Sequence, residues 1–178
     1  NLNYPLCDKE RILKPELAGG ALLDVGIYPL NFTYMHFGDD VIDMQSWVQM
    51  TDQGIDGENV MILLYKDGKS AILNSGIHGK CDSQGVFYGT EGFMVVENIN
   101  DPENIKIYDA DRKLVREIPV PDQISGYEYE IIETINCIKE GKLECPSMPH
   151  KETLKMMHVM DELRTSWKMK YPEEIEKL

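Results

Sequence analysis

The stretch from Ala18 to Phe32, AGGALLDVGIYPLNF, decides how the chain is read. Leu22, Leu23, Val25, Ile27 and Leu30 spell a buried apolar helix, yet three glycines, the acid Asp24, the phenol Tyr28 and Pro29 interrupt it. On a helix Asp24 and Tyr28 stand four residues apart, so their side chains leave one face about 5 to 6 Å apart at Cβ and can reach the same small molecule. Gly19, Gly20 and Gly26 remove side chains around them, as a backbone needs where a ligand or another chain segment comes close. Pro29 withholds one backbone donor and crowds the carbonyl of Val25, which predicts a bend or a tightening near the pair. The helix is expected from about Gly20 to Phe37, with Gly38 as its stop.

Upstream, Asn1 to Leu17 carries Pro5, Pro15 and mixed charge and reads as an irregular segment. Downstream, from Val41 to Val120, the texture changes to strand-like runs: VIDMQSWVQM, NVMILLY, SAILNSGIHG, GVFYG, GFMVVEN, NIKIYDA and KLVREIPV. The connections KDGK (Lys66 to Lys69), GTEG (Gly89 to Gly92) and DADRK (Asp109 to Lys113) are short and turn-forming, which implies consecutive hairpins and a mostly antiparallel sheet. Two helices close the chain. Tyr127, Ile131, Ile135 and Ile138 recur at helical spacing before Gly141, and Leu154, Met157, Met160, Leu163 and Trp167 do so before Pro172. The expected architecture is therefore α+β: an open, mostly antiparallel sheet with helices on one face. Its other face, bearing Trp47 with Met and Val residues, would be an apolar patch unless covered, and a second copy of the chain is the natural cover. The methionines of the last helix read as core or interface.

At 178 residues the chain fits one compact domain, and no apolar run approaches the roughly 18 residues of a membrane span. Eighteen basic against thirty-one acidic residues leave a net charge of -13, which opposes nucleic-acid binding; Lys9, Arg11 and Lys14 form only a loose basic group. Cys7, Cys81, Cys137 and Cys145 lack C-x-x-C spacing and the four histidines lack ligand spacing, so no metal site is expected and the cysteines read as free thiols of a reducing, cytoplasmic compartment. SGIHGKC (Ser75 to Cys81) has glycines too close for a phosphate loop and Cys81 where Ser or Thr is required, so it reads as a strand end and turn. No G-x-G-x-x-G opens a βαβ unit. An abrupt start at Asn1 is expected of a piece of a longer protein.

A carboxylate beside a phenol can do chemistry. Asp24 can hold a substrate hydroxyl or orient a neighbour, and Tyr28 can pass a proton if a nearby cation lowers its pKa from about 10. The bland alternative is that Asp24 caps or pairs and Tyr28 packs. Arg11 could contact a substrate or cofactor phosphate, or be a surface arginine. Asn31 could border the same pocket, or satisfy the backbone near Pro29.

The run PELAGGALLDVGIYPLN (Pro15 to Asn31) resembles the signature of the C-terminal domain of the glucose-fructose oxidoreductase / inositol dehydrogenase / rhizopine-catabolism (Gfo/Idh/MocA) family. FYGTEGFMVVEN (Phe87 to Asn98), GYEYEI (Gly126 to Ile131) and PSMPHKETLKMMHVMDELRTSWKMKYPEE (Pro146 to Glu174) resemble it more weakly. The resemblance implies that residues 1–178 are a substrate-binding and oligomerising second half. The missing first half would be a Rossmann domain that binds NAD or NADP and brings a lysine in an E-K-P motif. The family pattern D-x-G-x-H/Y falls on Asp24, Gly26 and Tyr28, with tyrosine where many members have histidine. It implies Asp24 and Tyr28 as catalytic groups, a sugar, polyol or related cyclic alcohol as substrate, and a chain inactive by itself. Either Tyr28 or the absent lysine would carry the proton. Two rivals remain at this point: a non-catalytic sensor of a sugar or nucleotide, and a pure dimerisation module.

Overall fold

The computed structural model describes residues 1–3 and 10–172. Pro5, Cys7 and Lys9, and the end of the last resembling run at Glu173 and Glu174, lie outside the described residues.

The strand runs form as the alternation demands. β1 (Leu2–Asn3) is short; β2 (Val41–Met50), β3 (Asp56–Tyr65) and β4 (Ser70–Gly76) follow the first helix. Then come β5 (Gly85–Tyr88), β6 (Gly92–Val96), β7 (Asn104–Asp109) and β8 (Leu114–Pro119). Every hairpin pair is antiparallel, and the turns use left-handed residues where the reading placed them, Gly68 at φ 88° and Arg112 at φ 64°.

The fold is α+β, but its strands divide into two four-stranded open sheets, ordered β1-β4-β3-β2 and β5-β6-β7-β8, rather than one. The division has a local cause. Ile77, just past β4, is fully buried in a small core with Leu2, Ile12, Ala21 and Val25, which draws the chain off the sheet before β5 begins. Strand β1 pairs in parallel with the end of β4 at Ser75 and Gly76, leaving the rest of that edge of β4 open. Hairpin logic sees neighbours in sequence only, so a parallel partner from the far end of the chain is invisible to it.

β3 shows why the first sheet has two unlike faces. Asn59, Met61, Leu63 and Tyr65 are buried, whereas Val60, Ile62 and Leu64 between them are half-buried. The buried set packs under α1 (Ile27–Phe37) and α3 (His150–Ser166) through Leu22, Leu30, Met156, Val159, Met160 and Leu163. The last helix thus uses Met156 and Met160 as core, and the stripe is rotated from the expected one: Leu154 and Met157 face solvent and Met156 and Val159 take their place. Opposite lies the free face, where Trp47 is 57% and Ile72 74% exposed.

α2 (Glu128–Lys139) forms over the expected span, but Ile131, Ile132, Ile135 and Ile138 stay exposed and Cys137 alone is buried. Periodicity marked the helix correctly and said nothing of what covers its apolar side. Among the described residues no helix is long and apolar enough to cross a membrane.

Candidate functional site

The helical segment starts at Ala21 and ends at Phe37, with Gly38 at φ 78° donating to the Tyr34 carbonyl. Its first part is not α-helical. Leu22–Gly26 is a π turn, in which the Ile27 N–H reaches the Leu22 carbonyl five residues back, and α1 continues from it. The sequence predicted a bend or tightening from Pro29, and the chain widens instead. The reason is the missing proline donor: the Val25 carbonyl cannot be served by residue 29 and is served by Ile27, and the wide turn absorbs the mismatch. In a regular α-helix four residues overshoot a full circle by roughly 40°. A π turn winds less per residue, so Asp24 on the wide turn and Tyr28 beyond it are brought nearer to alignment.

Both groups reach solvent. Tyr28 is 44% exposed, and the Asp24 side chain retains 26% of its exposure. Arg11, on the short 3-10 turn Glu10–Leu13, donates from Nη2 to Asp24 Oδ1 and is itself half exposed. The cation and the carboxylate are therefore paired at the helix start, and the phenol of Tyr28 follows in the first turn of α1. Asn31, two positions beyond the buried Pro29, is half-buried in the next turn of α1.

The three glycines accommodate the chain itself. A Cβ on Gly19 would lie 2.4 Å from the Ile12 carbonyl oxygen, and one on Gly20, at φ 118°, would lie 2.3 Å from Asp56 Oδ1. Gly26 faces Ser75 Oγ in the same way, at 2.8 Å. Of the two readings left open by the sequence, close approach of another chain segment is the one the structure realises.

That approach exposes residues the sequence did not single out. Asp56, at the start of β3, is fully buried and accepts the Leu22 N–H at 2.6 Å, so a strand carboxylate holds the N-terminus of the helix that carries Asp24. Asn59 Nδ2 donates to the same oxygen at 2.9 Å, and Ser75 Oγ donates to Asn59 Oδ1 at 2.8 Å. Burial pushes the Asp56 carboxyl up to about 6, while the hydrogen bonds from Asn59 and the Leu22 backbone pull the other way. In the sequence Asp56 sits in GIDGEN, where an acid next to glycine is the ordinary sign of a turn.

A cavity of about 760 Å³ opens between β4 and β5, walled by Ile72, Asn74, Val86, Phe87 and the Phe32 side of α1. Asp24, Tyr28, Arg11 and Asn31 do not line it. Arg11, Asp24 and Tyr28 lie outside that cavity and are open to solvent.

Known proteins share this architecture and sequence. The chain is 32% identical over 162 residues to scyllo-inositol 2-dehydrogenase (NADP(+)) IolU of Bacillus subtilis, covering 89% of this chain and 48% of the relative. It is 27% identical over 164 residues to trans-1,2-dihydrobenzene-1,2-diol dehydrogenase of Danio rerio, covering 86% and 48%. The chain thus spans about half the length of the curated relatives it matches. The fold superposes on aldose-aldose oxidoreductase from Caulobacter crescentus, in complex with glycerol, with a TM-score of 0.75 at 18% identity over 92% of this chain and 51% of that one. It superposes on KijD10, a 3-ketoreductase from Actinomadura kijaniata, in complex with NADP and TDP-benzene, with a TM-score of 0.76 at 19% identity over the same shares. Residues 3–95 match the family described as GFO/IDH/MocA C-terminal domain, and the chain belongs to that family.

Proposed function

We propose that this chain is the substrate-side and oligomerising domain of an NAD(P)-dependent oxidoreductase acting on a carbinol carbon of a sugar, polyol or related cyclic alcohol. The observation that carries the reading is the half-site itself: Asp24 and Tyr28 presented at the solvent edge of a π-widened helix start, with Arg11 on Asp24. The dehydrogenases among the relatives act on cyclic polyols and diols, chemistry that needs a hydroxyl held and a proton moved.

The nucleotide would be held by the segment preceding this chain, because Gly76 ends β4 and Gly79 follows in the turn, and neither makes a phosphate cradle. Bound NAD(P) supplies the acceptor for the hydride leaving the carbinol carbon. The rest falls to residues of the protein. Asp24 accepts a hydrogen bond from a substrate hydroxyl and fixes the orientation of the ring. Arg11 pairs with the Asp24 carboxylate and orients it. Tyr28 takes the hydroxyl proton as the phenolate, or as the phenol accepts it while passing its own proton to a neutral lysine of the preceding domain. The domain that brings the nucleotide also covers the half-site and excludes water. Asn31 borders the substrate. Alone, the 178-residue chain turns nothing over.

The free sheet face bearing Trp47, Ile62 and Ile72 is the surface through which copies associate. Cys81 and Cys137, both free, suit a cytoplasmic location, and the acidic surface disfavours nucleic acid. The test is turnover of the full-length protein with NAD+ and NADP+ against a panel of inositols, aldoses and trans-diols. Reduction of either cofactor with at least one of them is expected. Binding without turnover across the panel would identify the sensor instead.

A further inference from the structure

Far from the half-site, the fold gathers three soft and hard donors that the sequence kept apart. Glu133 and Cys137 stand one turn apart on α2, and the left-handed Gly141 at φ 69° turns the chain back so that Cys145 meets them. Two sulfurs and one carboxylate oxygen lie within 4.8 Å of one another, and among the described residues no other such group occurs. We propose that Glu133, Cys137 and Cys145 bind one zinc ion, which staples the loop after α2 to the helix.

The chemistry of the donors selects the ion. Two thiolates with one carboxylate suit Zn2+ and are poor ligands for Mg2+ or Ca2+. Zinc takes sulfur at about 2.3 Å and carboxylate oxygen at about 2.0 to 2.2 Å, so tetrahedral ligand atoms lie roughly 3.5 to 3.8 Å apart. The present spacing closes to that by side-chain adjustment. A water completes the fourth position.

The surroundings already orient the ligands. Ser147 donates to Glu133 from both its backbone N–H, at 3.3 Å, and its hydroxyl, which fixes the carboxylate beside the sulfurs. Thr134 Oγ1 donates to the Glu130 carbonyl at 2.7 Å and lies 3.9 Å from the Cys145 sulfur. Cys137 is buried and Cys145 half-buried, which shields the site from competing chelators. Binding releases the two thiol protons and changes no oxidation state.

The test uses the full-length protein, reduced and stripped with a chelator, then titrated with Zn2+ against a chromophoric competitor and separately with Co2+. One equivalent of zinc and a thiolate-to-cobalt charge-transfer band with tetrahedral visible bands are expected. Cys145→Ser, in the loop after α2, should lower zinc affinity at least about 100-fold, and Ser147→Ala by about 10-fold. Cys81→Ser, outside the cluster, should leave both readouts unchanged. The proposal falls if zinc is not held against the competitor, if Cys81→Ser costs as much as Cys145→Ser, or if Cys137 and Cys145 are found disulfide-linked in protein prepared under reducing conditions. None of these outcomes depends on catalytic activity.

Discussion

Replacing Asp56 by Asn isolates the buried carboxylate that accepts the N–H of Leu22 at the start of the helix carrying Asp24. The substitution keeps an oxygen for the Leu22 N–H and removes the charge. In the folded protein burial raises the Asp56 pKa from 3.8 to about 6, so the folded state binds the proton more tightly than the unfolded chain. Stability from this group is therefore full below about pH 3.8 and is lost as pH rises through about 6. Linkage over that interval gives roughly 1.4 kcal/mol more stability at pH 5 than at pH 7.5 from this carboxyl, and about 3 kcal/mol over the whole titration. Urea unfolding of both proteins at the two pH values measures it. The parent should lose roughly 1.4 kcal/mol more than Asp56→Asn between pH 5 and 7.5. Equal losses would refute the assignment of a raised pKa to this residue. A parent that gained stability relative to Asp56→Asn as pH rose would show that the helix N-terminus and Asn59 outweigh burial.

Other outcomes follow from the same region. Gly20→Ala places a methyl against Asp56 Oδ1 at a φ of 118° that L-residues rarely adopt, and should cost roughly 3 kcal/mol, read as a Tm lower by about 6 to 12 °C. Arg11→Ala should leave stability within about 1 kcal/mol, because its ion pair with Asp24 is half exposed, while raising the KM of the full-length protein for the alcohol that the proposed function assigns it; an unchanged KM would make Arg11 a surface residue only.

The helix carrying the half-site was legible because its apolar periodicity and its glycine stop are local signals, and so were the hairpins. What the sequence did not disclose were effects of distance. The π turn needed knowledge of which carbonyl Pro29 leaves unserved and how the chain repairs it. Asp56 reads as a turn residue until β3 is folded under Leu22. The gathering of Glu133 and Cys137 with Cys145 needed the turn at Gly141, since seven residues lie between the cysteines and no ligand spacing advertises them. The division into two sheets depended on where Ile77 is buried. The isoleucines of α2 show the converse, a correct periodicity on a helix whose apolar side stays exposed. By contrast, the D-x-G-x-Y spacing is local, so the placing of Asp24 and Tyr28 one turn apart at the start of one helical segment was legible whatever the tertiary fold.

The central claim is that Asp24 and Tyr28 handle the hydroxyl of the reacting alcohol. Single-turnover reduction of NAD(P)+ by the full-length protein, compared among parent, Asp24→Asn and Tyr28→Phe, tests it most directly. Loss of roughly 10² to 10⁴ in the rate for at least one variant, with cofactor affinity unchanged, is the predicted result. Undiminished rates in both variants would contradict it and leave the pair as surface and packing groups.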